Sequence, residues 1–130
     1  HFANPHGLNA ENHYVTAYDM YLIFNEALKY DTVNEIISMT SYDTVYTDKN
    51  GNEKTLSVKN TNQYRAGNVA APDRVTVIGG KTGTTSAAGN CLILLARDTS
   101  GNPYIAVILK SAERGILYTE MNALLKQVTS

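Results

Sequence analysis

Cysteine is nearly absent from this chain. Cys91 is the single one among 130 residues, which excludes an internal disulfide and says nothing about redox compartment. Neither sign of charge dominates, since eleven Lys and Arg face twelve Asp and Glu for a formal net charge of -1. Such a balance offers no long-range attraction to nucleic acid or to an anionic membrane surface. No apolar run approaches the roughly 18 residues that a membrane-spanning helix needs. The segment after His1 has neither a basic n-region nor an apolar h-region, so no secretory leader is expected within these residues. What is present is an ordinary globular composition, 43% hydrophobic and 18% charged. The length suits one domain with a real core and is too short for two.

Periodicity divides the chain into alternating elements. His1 to Asn12 is irregular, with turn signals at Asn4-Pro5 and His6-Gly7. From Thr16 onward Ala17, Met20, Tyr21, Ile23, Phe24, Ala27 and Leu28 recur at spacings of three and four, which predicts a helix. Thr16 and Asp19 have the spacing of a capping box. Asp31-Thr32 ends that helix and is placed to cap a short second one over Val33 to Met39. Tyr42 to Tyr46 and Lys54 to Val58 read as strands around the turn Asp48-Lys49-Asn50-Gly51-Asn52. Asn60 to Asp73 is a long connection, too polar to be core. Val75 to Ile78, Cys91 to Ala96 and Tyr104 to Leu109 read as strands, the last two joined by a turn at Asp98 to Pro103. Glu113 to Gln127 closes the chain as an amphipathic helix, with Ile116, Leu117, Met121, Leu124 and Leu125 on one face. The pattern indicates an α+β fold, an antiparallel sheet with flanking helices. In its apolar strand, Cys91 is expected to be a buried, inert thiol.

The chemistry-bearing segment is Gly80-Lys81-Thr82-Gly83-Thr84-Thr85, between two apolar runs. A phosphate-binding P-loop would need a glycine where Val75 stands and a helix after the lysine, so a nucleotide site is excluded. A lysine, a hydroxyl and a glycine at a strand edge instead suit a carboxylate held beside exposed backbone. His1, His6 and His13 match no zinc spacing, and Pro5 breaks any helix between them. No metal and no cofactor is expected. His6 is read as shaping its loop through hydrogen bonds. The tyrosines have no basic companions, which argues against a nucleic-acid surface.

Lys-Thr-Gly is also one of the three signatures of active-serine acyl transfer, with Ser-x-x-Lys and Ser-x-Asn. The run Ile78 to Leu92, with Lys81-Thr82-Gly83 followed by Ala88-Gly89-Asn90-Cys91-Leu92, closely resembles the serine-type D-alanyl-D-alanine carboxypeptidases of the penicillin-binding protein family. Phe2-Ala3-Asn4-Pro5-His6-Gly7-Leu8, then His13 to Met20, resembles the stretch just downstream of that family's Ser-x-Asn. Asn60-Thr61-Asn62 recurs there as well, so the resemblance covers nearly the whole chain in the right order.

The resemblance implies a role for each matching residue. Lys81 would place a fixed cation near the serine and the substrate's terminal carboxylate. Thr82 would donate its hydroxyl to that carboxylate, and Gly83 would leave the strand edge bare for a D-Ala-D-Ala peptide. The N–H of Thr84 would form half of an oxyanion hole, a donor whose loss costs about 10²–10³ in turnover. The implied partners are the peptidoglycan D-Ala-D-Ala stem peptide and, in the complete enzyme, β-lactams. The implied location is extracytoplasmic, and the implied fold is a partial penicillin-binding or β-lactamase-like transpeptidase domain.

Two of the three signatures are missing. None of the serines is followed three residues later by lysine, so the chain contains no recognisable nucleophile. Ser100-Gly101-Asn102 fits Ser-x-Asn but follows Lys-Thr-Gly and consists of turn-forming residues. Residues 1–130 are therefore expected to be the C-terminal part of a catalytic domain, inactive alone. Its rivals are a non-catalytic peptidoglycan-binding or sensor module and a β-lactamase fragment. In the family the last strand of the sheet pairs with strands from the domain's N-terminal part. Without them Tyr104 to Leu109 is expected to be an open edge favouring a homodimer. Incubation with a fluorescent penicillin is expected to leave this chain unlabelled on a denaturing gel, and a stoichiometric serine adduct would refute the absence of a nucleophile.

Overall fold

Thr16 sets the first helix in place. Its hydroxyl accepts from the Asp19 N–H at 3.1 Å while the Asp19 carboxylate accepts from the Thr16 N–H at 3.1 Å. This reciprocal cap opens α1 (Ala17–Ala27) and satisfies two amide donors that a helix start leaves free. The Thr16 hydroxyl and then its N–H hold the Asp19 carboxyl below its usual range. The structure, a computed structural model, describes residues 1–129. After α1 come α2 (Asp31–Ser38), β1 (Ser41–Thr47), β2 (Glu53–Lys59), β3 (Val75–Thr85), β4 (Gly89–Asp98), β5 (Pro103–Ser111) and α3 (Arg114–Leu125). Helix α2 begins two residues earlier than its periodicity suggested. Tyr30 occupies its N-cap without a side-chain bond, which puts Asp31 in the first turn rather than at the cap.

The two hairpin turns are built alike. In Asp48 to Asn52 and in Asp98 to Asn102, the leading aspartate's Oδ1 accepts N–H bonds from the residues two and four ahead, at 2.8 to 3.1 Å. Gly51 and Gly101 follow at φ +83° and +85°, values at which a side chain would be strained. Ser100-Gly101-Asn102 is thus a turn, as its composition implied.

Strands β1 and β2 form a two-stranded antiparallel ribbon, and β3, β4 and β5 form an antiparallel sheet in that order. On one face of this sheet Val75, Val77, Leu92, Leu94, Ala96 and Ala106 pack with Leu117, Tyr118, Met121 and Leu125 of α3. On the other, Ile93 and Leu95 pack with Phe24 of α1 and Ile37 of α2. Burying each large side chain of these layers is worth roughly 1.5–3 kcal/mol. The central strand β4 therefore reads as a continuous apolar run, covered on both faces.

Several expectations need correcting. Ile116 and Leu124 are 42% and 40% exposed, and Tyr118 lies in the core instead. The phenol is tolerated there because its oxygen accepts the Gln63 N–H at 3.0 Å. The connection after β2 is not excluded from the core: Asn62 is 0% exposed, and Tyr64, Val69 and Ala71 pack against the α3 layer. Asn60 and Asn62 make this possible by capping local amides, Asn60 Oδ1 taking the Asn62 N–H and Asn62 Oδ1 the Tyr64 N–H. Cys91 is half-buried rather than buried, lying near the start of β4 rather than at its covered middle, where Leu92 to Ala96 are buried. Strand β3 does not stop at Ile78 but runs through the Lys-Thr-Gly to Thr85. Tyr104 to Leu109 does lie in an edge strand, β5 having β4 as its one neighbour among the described residues.

Candidate functional site

The site begins with one extra residue in β3. Val77 lies opposite Ala96 and Gly79 opposite Leu95, so Ile78 is a bulge. Before it, Val75 and Val77 face α3; after it, parity reverses. Gly79, Lys81 and Gly83 lie opposite Leu95, Ile93 and Cys91, on the α1 and α2 face. Thr82 and Thr84 lie opposite Leu92 and Asn90, on the α3 face. The two glycines after the bulge are required by packing. A Cβ on Gly79 would stand 2.3 Å from the Ile37 carbonyl oxygen, and one on Gly80 2.1 Å from that of Ile93.

Gly83 differs from both. A Cβ there would meet nothing within 4 Å, so the fold itself does not require the glycine. It borders an open cleft of about 1000 Å³ whose wall includes Lys81, Thr82, Thr84 and Thr61. Phe24, Ile93 and Val107, from the α1 face of the sheet, add apolar lining to the same cleft. Its charged lining residues are Lys81, Lys110 and Arg114, with no aspartate or glutamate among the described residues that line it. A chain of net charge -1 therefore presents a cationic cleft, where an anion is concentrated.

Individual contacts refine this picture. Lys81 Nζ donates to the Thr82 carbonyl oxygen. The Thr82 hydroxyl lies 2.6 Å from that of Thr61, across 21 residues of sequence. The Thr84 hydroxyl donates to Asn90 Oδ1 at 3.3 Å, and Asn90 Nδ2 donates to the Ser111 and Ala112 carbonyls, each at 3.3 Å. A second bulge, with Lys110 at φ +61°, brings β5 to this end of the sheet. His6 and His13 also line the cleft, and their rings hold loop amides: Ala3 N–H donates to His13 Nδ1 at 2.9 Å and Leu8 N–H to His6 Nδ1 at 3.2 Å. Sequence reasoning reached Lys81 through Thr84 and assigned nothing to Thr61, Lys110 or Arg114. Asn60-Thr61-Asn62 was the available signal, since Asn flanking a hydroxyl marks an ordered turn.

The D-alanyl-D-alanine carboxypeptidase family model matches residues 1–113. The chain belongs to that family. It is 34% identical over 129 residues to the D-alanyl-D-alanine carboxypeptidase DacF of Bacillus subtilis (strain 168), an alignment covering 92% of this chain and 29% of that protein. An arginine-to-leucine mutant of the Streptomyces K15 DD-transpeptidase superposes with a TM-score of 0.85 at 25% identity, over 99% of this chain and 47% of that one. A serine-to-alanine mutant of the same enzyme gives 0.81 at 23% identity, over 95% and 45%. The chain thus spans less than half the length of these relatives.

The glycines permit a direct test of which positions serve packing. Gly79→Ala is expected to destabilise the chain by about 1–3 kcal/mol through overpacking against Ile37. Gly83→Ala is expected to change stability by no more than about 0.5 kcal/mol. Urea unfolding of both variants checks the pair, and equal losses would refute the distinction.

Proposed function

We propose that this chain supplies the substrate-strand half of a serine-type D-Ala-D-Ala carboxypeptidase site, acting on peptidoglycan stem peptides outside the cytoplasmic membrane. The observation that carries the reading is a Lys-Thr-Gly on a strand edge that is unpaired among the described residues, beside a cationic cleft that none of their aspartates or glutamates lines. A peptide laid along β3 would extend the sheet by backbone hydrogen bonds. Thr82 would donate to its terminal carboxylate, and Lys81 would add the charge that makes such a bond strong.

Backbone parity supports the role of Thr84. The bond from Lys81 Nζ to the Thr82 carbonyl is the one expected of a carbonyl turned to the open edge. Thr84, two residues on, has the same parity, so its N–H faces the same way. There it would meet the oxygen of the scissile carbonyl and stabilise the charge that develops on it. In the complete reaction a serine Oγ attacks that carbonyl and forms an ester. The terminal D-alanine leaves with a proton, and water then hydrolyses the ester. Penicillins would acylate the same serine. The serine belongs to no part of this sequence, and the apolar lining of Phe24, Ile93 and Val107 is the surface against which the nucleophile-bearing part would pack.

Titration of the labelled chain with an N-acetylated D-Ala-D-Ala dipeptide, followed by NMR, tests this directly. Amide shifts are expected at residues 81–85, weaker for the C-terminal amide, and weaker as salt screens the cleft. Lys81→Ala is expected to reduce affinity by a factor of roughly ten or more, the loss of a charged hydrogen bond. Shifts confined to other surfaces would reject the reading.

We also propose that the free edge of β5, residues 104–109, pairs with a second copy of the chain. Its backbone donors and acceptors have no strand on the outer side among the described residues, a condition that favours edge-to-edge association. Light scattering is expected to give a dimer mass at micromolar concentration, and a monomer mass there would refute it.

A further inference from the structure

We propose that Thr61 is a positioning residue that makes Thr82 a hydrogen-bond donor toward the substrate carboxylate. The inference rests on the proposed function, because it concerns the same carboxylate-binding end of β3. It begins from proton counting. Two hydroxyls share two protons, and the 2.6 Å contact between Thr61 and Thr82 uses one of them. If Thr82 donates to Thr61, the free proton is the one on Thr61 and the Thr82 oxygen offers the carboxylate only lone pairs, which repel it. If Thr61 donates to Thr82, the Thr82 proton is free to point into the cleft. An arriving carboxylate selects the second arrangement, and accepting a bond from Thr61 makes the Thr82 hydroxyl a stronger donor in turn.

For this to work Thr61 must not drift, and the surrounding bonds hold it from two sides. Asn60 Nδ2 donates to the Met39 carbonyl at 2.7 Å, tying the loop to the end of α2. The Gln63 N–H donates to the Tyr118 hydroxyl at 3.0 Å, and the Tyr64 hydroxyl donates to Asn122 Oδ1 at 2.7 Å, tying it to α3. Burial first, and then Tyr118, push the Tyr64 phenol well above its usual pKa, so it remains a donor throughout. Between these anchors Asn62 is fully buried, while Gln63 Nε2 donates to the Thr61 carbonyl at 2.9 Å. The hydroxyl of Thr61 is the group that meets β3, at Thr82.

Thr61→Val keeps the branched shape and removes the hydroxyl, whereas Thr61→Ser keeps the hydroxyl. Each is titrated with the N-acetylated D-Ala-D-Ala dipeptide as free acid and as C-terminal amide. Thr61→Val is expected to weaken the acid by a factor of roughly two to ten, the value of one hydrogen bond, and to leave the amide unchanged. Thr61→Ser is expected to restore the acid. In a Thr82→Val background, Thr61→Val is expected to add nothing. Equal acid affinity in Thr61→Val and wild type overturns the proposal, as does an equal loss for acid and amide. A wild-type chain that binds neither peptide overturns the carboxylate site itself. The three-bond couplings of Thr82, measured without ligand, speak to Thr61 alone. One rotamer in wild type and averaging in Thr61→Val are expected, and a single unchanged rotamer in both overturns the positioning role.

Discussion

The site depends on the insertion of Ile78 into β3. With side chains alternating along a strand, one extra residue exchanges the two faces for everything that follows. Without it, the parity of Val75 and Val77 would continue, placing Lys81 toward α3 and Thr82 toward α1. With it, Lys81 joins the face of Phe24 and Ile93, and Thr82 meets Thr61 on the loop that α3 anchors. Gly79 and Gly80 are the local consequence: the bent strand approaches α2 and β4 so closely that neither position has room for a Cβ. A feature of backbone pairing thus decides which side chains can act together.

One face of β3 and its open edge then carry different duties. On the α3 face, the polar loop from Asn60 to Tyr64 is fastened by Tyr118 and Asn122, so the hydroxyl pair sits on a rigid support. Along its open edge the same strand borders a cleft lined from both faces of the sheet, by Phe24 and Ile93 on one and by Thr61, Leu117 and Tyr118 on the other. The bulge near Lys110 and the Asn90 bonds to Ser111 and Ala112 brace the far end of β3 through its neighbour.

Much of this was legible in the sequence, for identifiable reasons. The Thr16–Asp19 cap, the two Asp-x-x-Gly-Asn turns and the apolar run of β4 are local patterns, and local patterns survive folding. Lys81-Thr82-Gly83 was legible because its flanking segments are specific to one family. The contact of Thr61 with Thr82 was not, because no local rule links positions 21 residues apart. The bulge was hidden for a related reason: Val77-Ile78-Gly79 carries no mark of which residue the partner strand will skip. Tyr118 was missed in the α3 core because an apolar count omits a phenol, although one backbone N–H suffices to satisfy it.

Asn62 shows how the site shapes the fold in return. A fully buried amide is a poor choice for stability, since desolvating it costs about 1–3 kcal/mol where bonds do not recover it. An apolar side chain could occupy comparable space at lower cost. The amide is useful because Asn62 Oδ1 holds the Tyr64 N–H at 3.1 Å, and that bond fixes the turn on which Thr61 stands. The preceding amide acts in the same sense, Asn60 Oδ1 taking the Asn62 N–H at 2.9 Å. Polar groups that weaken the case for a core at residues 60–64 are the groups that give the loop a single shape. The sequence looked too polar to be buried here because the loop is ordered for the benefit of β3, not for packing alone.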